Sequence, residues 1–413
     1  MARCGCLTLT CNFAGNMQYV LGNMLNGGGG LNPDGLSLDL QFAADKTLTA
    51  RKGPRPDFTR ASTNGTFMGS NGLIQTAAIN TPRFDHTSAG VCRGLLIEES
   101  RTNICRQSEN FGSFWAAVGC AVSIDTDIAP DGNTTADIVN ITNGGGHSIS
   151  QNISVLASTV YTFSFWVKRG TATALSYSIV NTNTASNIVA PTSYYNQTSS
   201  AWARVSFTFT TPVGCTGITV YPLRDGGSTG TVLLWGAQVE AGSFVTSYIP
   251  TGAGSAVRSA DVCSITGANF TSFWNTNEGA MLASGDPRAG AAVSIFVMAN
   301  SGANANQIAF DRSTTALKFG IANSGTYTAT ISQNSTNGSF VKISGAYATN
   351  NARSAVNGVL GSPDTSVIVP TNPNRFNIGS SSTASTEFSN GCIAEIKYFR
   401  KPLSNAKLQA LTV

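Results

Sequence analysis

Three observations predict an all-β chain built as two tandem β-sandwich (jelly-roll) domains after an N-terminal anchor and an extended β block. First, apolar and polar residues alternate cleanly in segments such as Tyr161–Lys168 and Trp202–Thr210, the two-residue period of a strand with one face in a core. Second, Gly, Asn and Ser punctuate the apolar runs. Asn71-Gly72 and Asn357-Gly358 sit between strand-like stretches, and both residue types tolerate the positive φ of a tight hairpin. Third, only 11% of the 413 residues are charged, against about 25% in ordinary soluble domains. Small polar residues take the place of the missing charges. That suits sheet surfaces and packed assemblies rather than disorder, which goes with high net charge.

Residues 1–36 carry scattered apolar side chains and the Gly27–Gly30 joint, and are expected to be an anchor that docks on a partner protein. The block 37–105 comes next. Pro54 and Pro56 cannot donate to a ladder, so Thr49–Arg60 reads as an extended connector. Thr66-Phe67-Met68 and Leu73-Ile74-Gln75 form a hairpin around Asn71-Gly72. Arg83 and Asp85 share a strand face opposite Phe84, whereas the adjacent Glu98 and Glu99 point to opposite faces. These charges read as structural ion pairs or solvated edges.

Residues 106–250 read as a complete sandwich. Tyr161, Phe163, Phe165 and Val167 share a core face, as do Ala203, Val205, Phe207 and Phe209. Thr231–Glu240 is a third strand of this type, with Trp235 alternating with Leu233, Ala237 and Val239 and so expected in the core. Residues 251–413 read as a second sandwich of short strands around Val293–Val297, Ile308–Phe310, Leu317–Ile321, Val341–Ile343, Phe376–Ile378 and Cys392–Phe399. Pro402 stops the last of these, and Ser404 caps a short helix carrying Leu408 and Leu411.

The stretch 59–103 resembles the N-terminal block of a family of phage fibre proteins, the head-spike-fibre type also found in gene transfer agents. The pieces that carry the resemblance are Thr59-Arg60-Ala61-Ser62, Leu73-Ile74-Gln75-Thr76-Ala77, Pro82-Arg83-Phe84-Asp85, Gly94-Leu95-Leu96-Ile97-Glu98-Glu99 and Arg101-Thr102-Asn103. The chain departs from that pattern at Phe67 and Cys105, both apolar exchanges. Leu234–Glu240 followed by Ser243–Thr251 is similar to the ending of carbohydrate-binding-module jelly rolls. Val356-Asn357-Gly358, Gly391–Tyr398 and Leu403-Ser404 with Leu408 resemble laminin-G and concanavalin-like domains. Together these resemblances imply a structural phage virion protein, a head spike fibre or tail fibre that projects from the particle and binds host surface polysaccharide. It would join other phage structural proteins through residues 1–36, and trimers are expected of fibres. The rival readings are a capsid decoration or cement protein without glycan binding, and a polysaccharide depolymerase spike.

The residues themselves offer little for catalysis. His86 and His147 are the two histidines, and neither lies in a nucleophile or metalloprotease motif. Glu98 and Glu99 face apart, so they do not form the facing carboxylate pair of a glycosidase. Asp125, Asp127, Asp131 and Asp137 are the densest acidic group, but Ala129 and Ala136 stand where an EF-hand needs oxygen ligands, and Pro130–Asn133 reads as a turn. Cys4, Cys6 and Cys11 cluster without a nearby His, so the nine cysteines read as reduced thiols rather than zinc ligands. No enzyme activity, cofactor or metal is expected. The net charge of +4 forms no basic stripe, which argues against nucleic acid. No apolar run reaches the roughly eighteen residues of a membrane span. The short apolar stretch after Cys6 is not a signal-peptide core, so synthesis in a cytoplasm and delivery in the virion are expected.

The glycan candidates are Trp166, Lys168, Trp202 and Arg204. Both tryptophans fall on the polar face of their strands, where an indole can stack on a sugar ring while neighbours bond the hydroxyls. Lys168 and Arg204 lie two positions along the same faces and could meet an acidic glycan. Packing is the stronger reading of each tryptophan, because the second face of a sheet is often covered by another sheet or a loop and Trp is usually well buried.

Overall fold

A computed structural model of the chain describes residues 34–413 apart from 144, 225–226, 291–293, 303–304 and 382–386. All but the last three residues of the expected anchor, and the Cys4, Cys6 and Cys11 cluster, lie outside the described residues. Within them the chain is nearly all β, folded as two sandwiches with separate cores.

The first sandwich stacks two five-stranded sheets. One runs in the order Ala203–Thr210, Val160–Arg169, Gly230–Ala241, Thr134–Ile141, Cys120–Ile128. The other runs Ser186–Ser193, Ser176–Asn181, Gly217–Arg224, Ser148–Ser154, Ala116–Val118. The alternation of Val160–Arg169 is realised: Tyr161, Phe163, Phe165 and Val167 all enter the core, with Phe165 edge-on to Tyr194. The opposite face is buried as well, since Thr162, Ser164 and Trp166 are covered.

Trp235 departs from its expected face. Gly236 takes φ +64°, and the register against Val160–Arg169 slips between Ser164 and Trp166. A residue in the left-handed region bulges the strand and reverses the facing of the residues after it. Val232 and Leu234 before the bulge and Ala237 and Val239 after it all reach the core, while Trp235 is left on the other face against Trp166 and Tyr248.

The second sandwich draws strands from both sides of the jelly roll in the chain. Its larger sheet orders Val359–Leu360, Asn351–Val356, Val341–Ala348, Gly279–Gly285, Gly391–Phe399, Cys92–Ile97 and Phe84–His86, and Leu36–Leu40 also pairs with Gly391–Phe399. Its partner sheet begins with Asp57–Thr59 on Val262–Thr266 and continues through Arg375–Ile378, Ser294–Asn300, Gln307–Arg312, Ala316–Asn323 and Thr326–Asn334. The stretch 37–105, read from sequence as a block by itself, thus supplies strands to both sheets of the C-terminal sandwich. Leu38, Leu40, Phe58, Leu95 and Ile97 sit in that common core. The jelly roll is threaded between the halves of this sandwich. Asn357 and Gly358, both at positive φ, close the expected two-residue hairpin with Val356 opposite Val359. Asn405–Thr412 is the expected helix, and the Ser404 hydroxyl accepts from the Lys407 N–H. A further helix, Gly267–Phe273, was not anticipated; it carries no side-chain cap and is held by burying Phe270 and Phe273. The cysteines at 92, 105, 120, 215, 263 and 392 are free thiols.

Charged residues of the 60–98 segment meet Arg258 and Asp261 where the two sandwiches join. Arg83 pairs with Glu98 at 2.8 Å and with Asp261, Arg60 reaches Asp261 at 3.3 Å, and Arg258 reaches Glu98 at 3.2 Å. All five side chains are buried. Glu98 also accepts from the Ser247 N–H and hydroxyl, and the Thr66 hydroxyl donates to the Tyr248 carbonyl. The loop that ends the jelly roll is thereby fastened to the 60–98 segment and to the linker at 258–261. Burial alone would raise the Glu98 pKa, but the Arg258 and Arg83 guanidiniums and the Ser247 donors hold it at about 2, below the ordinary 4.5. A carboxylate whose folded-state pKa is depressed stabilises above its unfolded pKa and loses that contribution as pH falls through the folded value. The contribution of Glu98 is about 3 kcal/mol, complete above pH ~4.5 and lost toward pH ~2. Urea unfolding at pH 6 and pH 3 is expected to show a larger acid loss for the wild type than for Glu98→Gln. Equal losses would remove Glu98 from the account.

Candidate functional site

A cleft of ≈ 400 Å³ opens between the outer sheet face of the jelly roll and the second sandwich. Its jelly-roll wall carries Trp202, Arg204 and Trp166. Its opposite wall carries His86, Arg93 and Arg288. Trp202 stands just before strand Ala203–Thr210, in which Arg204 lies directly opposite Trp166. His86 ends strand Phe84–His86, Arg93 lies in Cys92–Ile97, and Arg288 follows Gly279–Gly285.

The four residues expected from alternation fall into two pairs. Trp166 is only 8% exposed. Its ring lies edge-on to Trp235 at 5.3 Å and to Tyr248 at 5.4 Å, and the Arg204 guanidinium covers it at 4.3 Å. Its stacking surface is therefore occupied by the protein, and the open platform expected at this position is absent. Arg204 is equally committed, donating to the Thr246 carbonyl at 2.7 Å and the Ser164 hydroxyl at 3.1 Å. Burial pushes its pKa down to about 10, against the opposing pull of Glu240 and Glu98. The physical cause is the loop after Gly230–Ala241, which folds back so that Thr246 and Tyr248 cover the sheet.

Trp202 is half-buried and lines the cleft. Its indole N–H donates to the Ile128 carbonyl at 2.9 Å, which fixes the ring plane. Lys168 sits 5.5 Å from the Trp202 ring and pairs with Asp127 at 2.7 Å. Lys168 thus steadies the indole instead of standing free for an anion.

The far wall was not legible from sequence. Arg93 bridges Asp85, at 3.0 Å, and Asp286. Burial raises the Asp85 pKa, against its bond from the Met68 N–H and the charge of Arg93. His86 Nδ1 donates to the Met68 carbonyl at 3.1 Å, and among the described residues the buried Nε2 has no hydrogen-bond partner. Arg288 has one nitrogen on the Val245 carbonyl at 3.3 Å. Tertiary structure brings His86, Arg93 and Arg288 to Trp202; alternation singled out Trp202, and no local motif marks the other three. A second, more open hollow of ≈ 460 Å³, lined by Arg101, Ile104, Leu156 and Tyr161, holds no tryptophan.

The acidic residues serve structure. Asp137 accepts from the Phe111 and Asp125 N–H groups, Asp131 closes its own turn through Asn133, and Glu99 pairs with Arg101. Among the described residues, no group of three or more His, Cys, Asp or Glu is placed to hold a metal ion.

Residues 107–221 match a family model described as a carbohydrate binding domain. Residues 264–409 match that of the concanavalin A-like lectin/glucanases superfamily. Similar solved structures include the CBM40 of Ruminococcus gnavus IT-sialidase bound to α2,3-sialyllactose, at 15% identity over 33% of this chain and 83% of that one, TM-score 0.29. They also include the enzymatically active domain of bacteriophage CBA120 tailspike protein 4, at 14% identity over 34% of this chain and 21% of that one, TM-score 0.28. A heptameric SAP-like pentraxin from Limulus polyphemus shares 10% identity over 32% and 69%, TM-score 0.28. No curated protein matches the chain.

Proposed function

We propose that this chain is a structural phage virion protein, a head spike fibre or tail fibre, that binds host surface glycan and does not cleave it. The observation that carries the glycan reading is the half-buried indole of Trp202 at a ≈ 400 Å³ cleft, in a domain that matches a carbohydrate-binding model. A fixed aromatic plane with polar groups around it suits a sugar ring, whose C–H face stacks while its hydroxyls are bonded. The virion reading rests on the motifs between Thr59 and Asn103, and attachment to other phage structural proteins is assigned to residues 1–36. A trimeric fibre would present the cleft in several copies.

Single-site affinity is expected on the order of millimolar, about −4 kcal/mol, with avidity supplied by multiple copies. Full-length protein titrated onto immobilised host polysaccharide is expected to bind, and Trp202→Ala to bind at least about tenfold more weakly, a loss near 1.4 kcal/mol. Because Trp202 lies outside both main cores, its variant should keep the wild-type unfolding midpoint within about 1 kcal/mol. Unchanged binding by a folded Trp202→Ala would sink the glycan reading at this cleft. Release of new reducing ends in the same incubations would favour a depolymerase.

A further inference from the structure

Resting on the glycan reading of the cleft, we infer that its ligand is an anionic sugar, a uronic or other carboxylated residue, whose carboxylate is received by Arg288.

The inference comes from which charges in the cleft are already engaged. Three carboxylates line it, at Asp85, Glu98 and Asp286. Asp85 accepts from the Met68 N–H at 2.8 Å and pairs with Arg93. Asp286 pairs with the same Arg93 and accepts from the Cys392 N–H at 2.6 Å. Glu98 is saturated by Arg83, Arg258 and Ser247. An incoming anion therefore meets no unengaged carboxylate.

The cations are not matched in the same way. Arg93 is shared between two acids, and Arg204 is buried with both terminal nitrogens committed. Arg288 is half-buried, and among the described residues no carboxylate pairs with it. Its guanidinium carbon lies 5.7 Å from the centroid of the Phe244 ring, and one terminal nitrogen bonds the Val245 carbonyl. The ring and the carbonyl orient the guanidinium while leaving donors for a ligand. A planar guanidinium with free N–H groups matches a carboxylate in a two-point contact, which a neutral hydroxyl cannot reproduce. The cleft volume lies within the roughly 300–1,000 Å³ of small-ligand sites. Trp202 and Arg288 both line it.

The test uses full-length protein and oligosaccharides of glucuronate, galacturonate and sialic acid, each beside its carboxyl-reduced form. Reduction keeps the ring and removes the charge. At low ionic strength at least one acidic oligosaccharide is expected to bind about tenfold more tightly than its reduced partner. The preference should shrink as salt rises. Arg288→Gln should bring the acidic form down to the level of its reduced partner, and Arg288→Lys should retain part of the difference. If acidic and reduced forms bind equally and Trp202→Ala weakens both, the glycan site stands and the anionic assignment is overturned. If a preference exists but survives in Arg288→Gln, the assignment to Arg288 is overturned. If nothing in the panel binds, the anionic assignment is overturned, and host-polysaccharide binding by the same protein decides separately whether the glycan reading falls with it.

Discussion

Arg83→Ala is expected to lower stability by about 3–5 kcal/mol, measured as a fall in the urea midpoint at pH 7. Arg83 is fully buried between Glu98 and Asp261, and it also donates to the Thr66 carbonyl and the Ser247 hydroxyl. Removing it leaves two buried carboxylates with one guanidinium partner fewer, and it is the unpaired charge that is costly. Burial raises the cost of each carboxylate, and the remaining partners, Arg258 on Glu98 and Arg60 on Asp261, do not restore the lost donors. The network joins the jelly-roll tail at Ser247 to strands of the second sandwich, so the loss should also loosen that junction. Protease cleavage near 242–261 is expected to accelerate in the variant. A double-mutant cycle with Glu98→Gln should show coupling above about 1 kcal/mol. A loss below about 1 kcal/mol for Arg83→Ala, with wild-type proteolysis, would mean that the pairs add nothing beyond packing.

Trp166→Ala should cost about 3–5 kcal/mol of stability, far more than Trp202→Ala. The ring fills the space between Trp235, Tyr248 and the Arg204 guanidinium. The left-handed turn at Gly236 brings the backbone so close that a Cβ there would lie 2.8 Å from the Trp166 ring. Truncation leaves a cavity lined by rings that cannot collapse onto it, and it strips Arg204 of its stacking partner. Unfolding followed by tryptophan fluorescence and by far-ultraviolet circular dichroism checks the magnitude. A fully stable Trp166→Ala with weakened glycan binding would return this residue to the ligand surface.

The contrast between these two tryptophans shows where sequence reasoning stops. Trp166 lies on the polar face of its strand, and Trp202 stands just before its own strand and lines the same side as Arg204. Whether that face meets solvent depends on the loop carrying Thr246 and Tyr248, and on the hairpin Gly65–Met68 and Ile74–Ala77, where Thr66 bonds the Tyr248 carbonyl. Trp235 had a local signal: a glycine inside an apolar strand often marks a bulge, and Gly236 makes one. The cleft had none. His86, Arg93, Trp202 and Arg288 come from three separate parts of the chain, and only the docking of the two sandwiches brings them to one place.

The all-β class, the core faces of Val160–Arg169 and Ala203–Thr210, the hairpins at Asn71-Gly72 and Asn357-Gly358 and the capped C-terminal helix were determined by the sequence alone. Each depends on a period of two, on positive φ or on one side-chain cap, and those are local properties of a few neighbouring residues. The sharing of Leu36–Leu40, Asp57–Thr59, Phe84–His86 and Cys92–Ile97 with the C-terminal sandwich was decided only by tertiary structure. So were the meeting of Arg60, Arg83, Glu98, Arg258 and Asp261, and the burial of Trp166 beside a more open Trp202. Strand pairing and charge pairing across hundreds of residues are chosen by which apolar faces can be covered together, and no window of sequence contains that choice.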